Sequence, residues 1–144
     1  MKRDKIKGTL WDYSKFLRRT KHIERFRIFV YGSLKKGYHN HKTLERKGVE
    51  FLGEGKIKGF KLYDTGFGFP AIVRTNLEDD IVYGEYYEVD VDTLILLDVL
   101  EGYTNSNPLY RREYIDNTSN TMVYVYNTDI NNISTMHRVI SGKW

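Results

Sequence analysis

From residue 25 onward, short apolar runs alternate with glycine-rich or polar breaks, the pattern of strands joined by turns. Arg25–Tyr31 begins with polar–apolar alternation and closes on Ile28-Phe29-Val30, which suits a central strand. Thr43–Lys47 predicts a helical turn ending at Gly48. Glu50–Leu62 carries glycines at 53, 55 and 59, predicting a bent or bulged strand pair. Phe69–Thr75 and Ile81–Val89 predict further strands, the second setting Val82, Gly84 and Tyr86 against Tyr83, Glu85 and Tyr87. Tyr110–Asp116 and Thr121–Thr128 predict a hairpin around Asn117–Asn120.

One long helix is expected, from Val91 or Asp92 to Glu101. Asp90 or Asp92 can cap its first N–H groups, and Gly102 can take the left-handed conformation that stops it. Leu94, Ile95, Leu96, Leu97, Val99 and Leu100 leave almost no polar face, so burial nearly all round is expected. One helix among six or seven strands predicts an α+β fold. Its expected form is a small, mixed, mostly antiparallel β-barrel with one principal packed helix.

Composition narrows the function classes. A chain of 144 residues can close one hydrophobic core and not readily two. With 12 Tyr, 7 Phe, 2 Trp and only 2 Pro, it is not the composition of a disordered chain. No apolar stretch reaches membrane-spanning length, and the start lacks a signal-peptide core, so a cytoplasmic location is expected. The absence of Cys excludes disulfides, thiolate nucleophiles and Cys-based metal sites.

The net charge of +4 is unevenly spread. Residues 1–27 hold ten Lys or Arg against three acids, leaving the rest of the chain mildly acidic. Residues 1–26 therefore read as a basic N-terminal extension to a domain of residues 27–144. The arm has two readings: a contact with nucleic acid or another anionic surface, or a docked segment using Leu10, Trp11, Tyr13, Phe16 and Leu17.

Two features carry candidate chemistry. Tyr31-Gly32-Ser33-Leu34 follows the apolar run directly, and such a turn gathers backbone N–H groups where an anion can dock. Glu101 shares a helical stripe with Leu94, Leu97 and Asp98. Poor hydration and the negative end of the helix dipole should both raise its pKa and make it a proton acceptor. The plainer alternatives are an ordinary hairpin turn and a Glu101 that pairs with Arg111 or Arg112.

In order and spacing, these residues resemble the gamma-glutamylcyclotransferase-like (AIG2-like) family, particularly its gamma-glutamylamine cyclotransferase branch. The likeness runs through Tyr31-Gly32-Ser33-Leu34-Lys35, Gly37, Asn40, Gly59 and Phe69-Pro70. It continues with Val82-x-Gly84-Glu85-x-Tyr87-x-Val89, Leu94-x-x-Leu97-Asp98-x-x-Glu101, Leu109-Tyr110-x-Arg112 and the closing Ser141-Gly142-Lys143-Trp144. It implies a small mixed barrel with a helix against it. The family pattern often has Tyr-Pro where this chain has Phe69-Pro70.

The resemblance implies an acyltransferase of lyase type that releases 5-oxoproline from a small gamma-glutamyl amide. The substrate's alpha-amine attacks its own side-chain carbonyl, with Glu101 matching the family's general acid/base. Tyr31, Gly32, Ser33 and Leu34 match the loop whose amides hold the glutamyl group, and Tyr110 is expected to border the pocket. Arg112 is expected to anchor its strand or pair with an acid. No cofactor and no metal are implied, and His39 and His41 lack companions for a metal set.

Leaving amines across the family include amino acids, epsilon-lysine, glutathione-derived groups and antibiotic intermediates. Lys61–Gly68 is a candidate loop for selecting the amine, and Glu78-Asp79-Asp80 is either an attractor for a cationic amine or a solvated turn. The alternative functions are a noncatalytic small-molecule-binding domain of the same fold, or a protein contacting nucleic acid through residues 1–27.

Overall fold

The computed structural model describes residues 24–103, 105–129 and 131–144. Apart from its last residues, the basic extension lies outside them, and so does its nucleic-acid reading. In chain order the elements are β1 (Phe26–Val30), a 3-10 turn (His41–Leu44), β2 (Val49–Lys58), β3 (Phe60–Asp64), β4 (Pro70–Arg74) and β5 (Ile81–Val89). Then come α1 (Val91–Leu100), β6 (Tyr110–Tyr114), β7 (Thr121–Tyr126) and β8 (His137–Arg138). Among the described residues no helix is long and apolar enough to cross a membrane.

The strands do not close into the expected barrel. They form a five-stranded sheet ordered β2-β5-β1-β7-β6 and a separate three-stranded sheet ordered β4-β3-β8. β1 is central, antiparallel to β5 and parallel to β7, so the large sheet is mixed but mostly antiparallel. Closure would require its outer strands β2 and β6 to pair, and they occupy opposite edges. The break lies at Gly59, whose φ of +88° ends the long β2–β5 ladder and turns the chain into β3. The glycine-rich segment is thus two strands in different sheets, with a bulge between Phe51 and Gly53.

Alternation along β1 gives each face of the large sheet its own core. Ile28 and Val30 pack with Tyr87, Leu94, Leu97, Tyr110 and Tyr124 on the side that carries α1. Phe29 and Tyr31 pack with Ile57, Phe60, Leu62, Ile72, Val123 and Val125, between the two sheets. Two such layers suffice to exclude water from the sheet without closing it.

The helix starts as the sequence predicts: Thr93 N–H donates to Asp90 Oδ1 at 2.9 Å, and Gly102 follows its end with φ +73°. Its burial differs from expectation. Thr93, Leu94, Leu97 and Asp98 are buried, whereas Ile95, Leu96, Val99 and Leu100 are exposed. A short helix lying on one face of an open sheet can bury only one stripe.

Candidate active site

β1 delivers the chain into a tight turn at the edge of both cores. Lys35 N–H donates to Gly32 O at 3.0 Å, and Asn40 N–H donates to Ser33 O at 3.1 Å, folding the segment back on itself. Asn40 Nδ2 also donates to Ser33 Oγ at 2.8 Å, and His41 Nδ1 lies 2.9 Å from Leu34 O. Lys36 N–H donates to Glu85 Oε1 at 3.0 Å, and Tyr87 OH donates to the same oxygen at 2.8 Å. With these contacts the turn is braced from its own loop and from β5. Among the described residues, the Ser33 and Leu34 N–H groups donate to no protein acceptor, which leaves them for a ligand.

Gly32 is required here by a close approach. A Cβ at this position would stand 2.7 Å from Pro70 Cγ, so a side chain would collide with the proline at the head of β4. The space a side chain would need at this position is filled by Pro70. Pro70 O in turn accepts the Tyr110 hydroxyl, which links β4 to β6.

The turn lines a cavity of about 450 Å³, within the range of small-molecule sites. Tyr31, Gly32, Ser33 and Leu34 form one side, and Glu101 and Tyr110 also line it, so all six sequence-predicted residues meet in one place. Phe67, Phe69, Asn40, Asn105 and Tyr124 contribute as well. Glu101 terminates α1, where its N–H donates to Leu97 O at 2.9 Å. Burial pushes its carboxyl from an ordinary 4.5 up to about 7. Desolvation by burial is the cause.

The arginines offered as alternative partners are engaged elsewhere. Arg112 Nη1 lies 2.6 Å from Asp98 Oδ2, and Arg111 Nη1 lies 2.7 Å from Asp129 Oδ2. Glu101 makes no ion pair among the described residues. Its field reaches Tyr31, Tyr110 and Tyr124, whose hydroxyls are held protonated first by burial and then in part by that nearby carboxylate. Three neutral phenols around one carboxyl make a site suited to moving a proton without a metal or a charged nucleophile.

Other expectations fall elsewhere. Asp80 accepts from Thr75 Oγ1 at 2.7 Å and pairs with Arg138 at 3.1 Å, and none of Glu78, Asp79 and Asp80 is among the described residues lining the cavity. Those acids therefore do not face the site. His39 lines the cavity, and no metal-binding cluster of His, Asp or Glu occurs among the described residues. Sequence reasoning missed Tyr124, which presents its hydroxyl to Asp98 Oδ1 at 2.7 Å beside the cavity. The alternating Val123-Tyr124-Val125-Tyr126 of β7 marked a strand but gave no sign that Tyr124 reaches the end of the helix.

Residues 28–144 match the protein family described as gamma-glutamyl cyclotransferase, AIG2-like. Over 76 residues, 53% of this chain, the sequence is 41% identical to gamma-L-glutamyl-butirosin B gamma-glutamyl cyclotransferase of Niallia circulans. That match spans 46% of the relative, less than half its length. A putative gamma-glutamylcyclotransferase of Vibrio cholerae is 35% identical over 120 residues, covering 81% of this chain and 93% of the relative. The solution structure of the ytfP protein from Escherichia coli aligns with a TM-score of 0.62 and 30% identity, over 83% of this chain and 96% of that one.

Proposed function

The chain belongs to the gamma-glutamyl cyclotransferase, AIG2-like family, and from that premise we propose that it releases 5-oxoproline from a small gamma-glutamyl amide. The supporting observation is the meeting of Glu101, a carboxyl raised to about 7, with the amide-bearing turn Tyr31–Leu34 in one cavity. The activity is assigned to residues 27–144.

Each part of the site has a task in this reading. The free amides of Ser33 and Leu34 hold the glutamyl carboxylate, and Gly32 lets the turn close against Pro70. Glu101 takes a proton from the substrate's alpha-ammonium group. The freed nitrogen attacks the side-chain carbonyl carbon and closes a five-membered ring. The bond from that carbon to the outer nitrogen breaks as Glu101 passes its proton to the departing amine. Glu101 then takes the second proton of the attacking nitrogen, which leaves a neutral ring amide, and hands it to the amine, which departs as an ammonium. No water is consumed and no covalent enzyme intermediate forms. Because nucleophile and carbonyl share one molecule, much of the rate advantage comes from folding the substrate correctly. A carboxyl titrating near neutrality suits both proton transfers.

Tyr31 and Tyr110 border the reacting groups as neutral hydroxyls. Tyr31 is tied to Tyr124 O at 2.6 Å and Tyr110 to Pro70 O, so both are fixed in orientation. The test is a panel of gamma-glutamyl amides assayed for 5-oxoproline. Release from at least one member, lowered by about 10²-fold or more in Glu101→Gln, is the expected result. Binding of those amides with no turnover would leave a noncatalytic binding domain of the same fold.

A further inference from the structure

The glutamyl end of the cavity is defined by the turn and Glu101, but the other end of a substrate amide needs a surface too. That surface is built by the loop between β3 and β4. Phe67 is 82% exposed, yet it lines the cavity. It stacks on Phe69 with ring centroids 6.5 Å apart and planes 26° apart. Phe69 meets Tyr110 edge-on at 6.4 Å, and Tyr110 meets Tyr126 at 6.0 Å. An aromatic series thus runs from solvent past the cavity wall into the core.

The loop that presents Phe67 is braced. Thr65 Oγ1 donates to Phe69 O at 2.7 Å, Phe67 N–H donates to Thr65 Oγ1 at 3.2 Å, and Gly66 N–H donates to Asp64 Oδ1 at 2.8 Å. Gly66 and Gly68, with φ of +85° and +90°, supply the left-handed turns that hold the ring outward. A large apolar side chain held in water by an ordered loop has surface available for a ligand.

The charge around the cavity adds a second constraint. No Lys or Arg lines it among the described residues, and Glu101 is its one acidic side chain. A leaving amine that carries its own carboxylate would find no Lys or Arg among the described residues of the lining. One that carries a second ammonium group would find only the carboxylate needed for proton transfer.

Resting on the cyclotransferase reading above, we propose that Phe67, backed by Phe69, receives the leaving amine, and that the preferred substrates are gamma-glutamyl amides of apolar, especially aromatic, amines. A ring on the amine would cover the free face of Phe67 and extend the aromatic series by one member.

The experiment compares gamma-glutamyl benzylamide, gamma-glutamyl methylamide, gamma-glutamyl-epsilon-lysine and gamma-glutamylglutamate. The expected result is the highest kcat/KM for the benzylamide. The benzylamide-to-methylamide ratio should fall about tenfold in Phe67→Ala and be largely restored in Phe67→Leu. An unchanged ratio in Phe67→Ala, or a preference for the lysine or glutamate amide, would overturn the proposal. If no amide releases 5-oxoproline, the cyclotransferase reading fails on its own. Calorimetric binding of the benzylamide and methylamide to wild type and Phe67→Ala then decides the matter: a benzylamide preference lost in Phe67→Ala upholds the Phe67 surface, and equal binding rejects it.

Discussion

The hydroxyl of Tyr124 donates to Asp98 Oδ1 at 2.7 Å, fastening the last turn of α1 to β7 three residues before Glu101. Arg112 holds the other carboxylate oxygen of Asp98 at 2.6 Å, so Asp98 is satisfied from two strands. Removing one partner should cost more than removing an exposed pair. Tyr124→Phe is expected to lower stability by about 1–2 kcal/mol, and Arg112→Ala by about 2–4 kcal/mol, because Asp98 would remain buried with its charge poorly compensated. Urea denaturation of the two variants checks the order. Equal, negligible losses would mean that Asp98 does not fix the helix end.

Glu101→Gln keeps the shape of the side chain and removes its proton chemistry. Turnover is expected to fall by about 10²-fold or more. Stability at pH 8 should rise by about 1–3 kcal/mol, because the variant carries no charge to desolvate. Near-normal turnover in this variant would end the assignment of Glu101 as general base.

The raised carboxyl also sets two pH dependences. For kcat/KM, the base form of Glu101 is lost as pH falls through about 7, so the acid limb should bend near that value. For stability, the native carboxyl binds its proton more tightly than an unfolded one, whose value is near 4.5. Its contribution is fully present below about 4.5 and is lost as pH rises to about 7. Glu101→Gln should flatten that part of the stability profile. A wild-type profile already flat across this window would contradict the burial of the carboxyl.

Gly32→Ala introduces a methyl group 2.7 Å from Pro70 Cγ. The turn must shift, at a cost of about 1–3 kcal/mol in stability, and the amides of Ser33 and Leu34 move with it. Thermal unfolding and KM for the best amide should both change. A variant with unaltered KM would show that the turn does not hold the substrate.

Deleting residues 1–24 is expected to leave catalysis largely intact, since the described lining of the cavity begins at Phe29. The cut spares Arg25, which pairs with Glu88 at 3.6 Å. A salt titration with DNA or RNA, run on full-length and truncated protein, tests the +7 charge of residues 1–27 separately. Binding lost on truncation would assign nucleic-acid contact to the arm; a truncated protein that folds but turns nothing over would make the arm part of the site.

Local chemistry was legible where neighbours in sequence decide the structure. β5 runs from Ile81 to Val89 as its alternation predicts, and Asp90 caps α1. The meeting of Tyr31–Leu34, Glu101 and Tyr110 followed from ordered motifs and not from periodicity. What failed was long-range. Nothing adjacent to Gly59 tells whether the chain returns to the same sheet or begins another, and that choice decides between a barrel and two layers. The uniform apolarity of Ile95, Leu96, Val99 and Leu100 likewise gave no sign of which side would face the sheet. Pro70 as the neighbour that forbids a side chain at Gly32 could be seen only once β4 was placed beside the turn.

That contact couples positions 32 and 70 energetically. While proline stands at 70, alanine at 32 is penalised; once Pro70 is replaced by a smaller residue, the same alanine becomes tolerable. The double change Gly32→Ala with Pro70→Ala should therefore be less damaging than the sum of the two single changes. The bulk of one proline ring thus decides which side chains the substrate turn can accept two strands away in sequence.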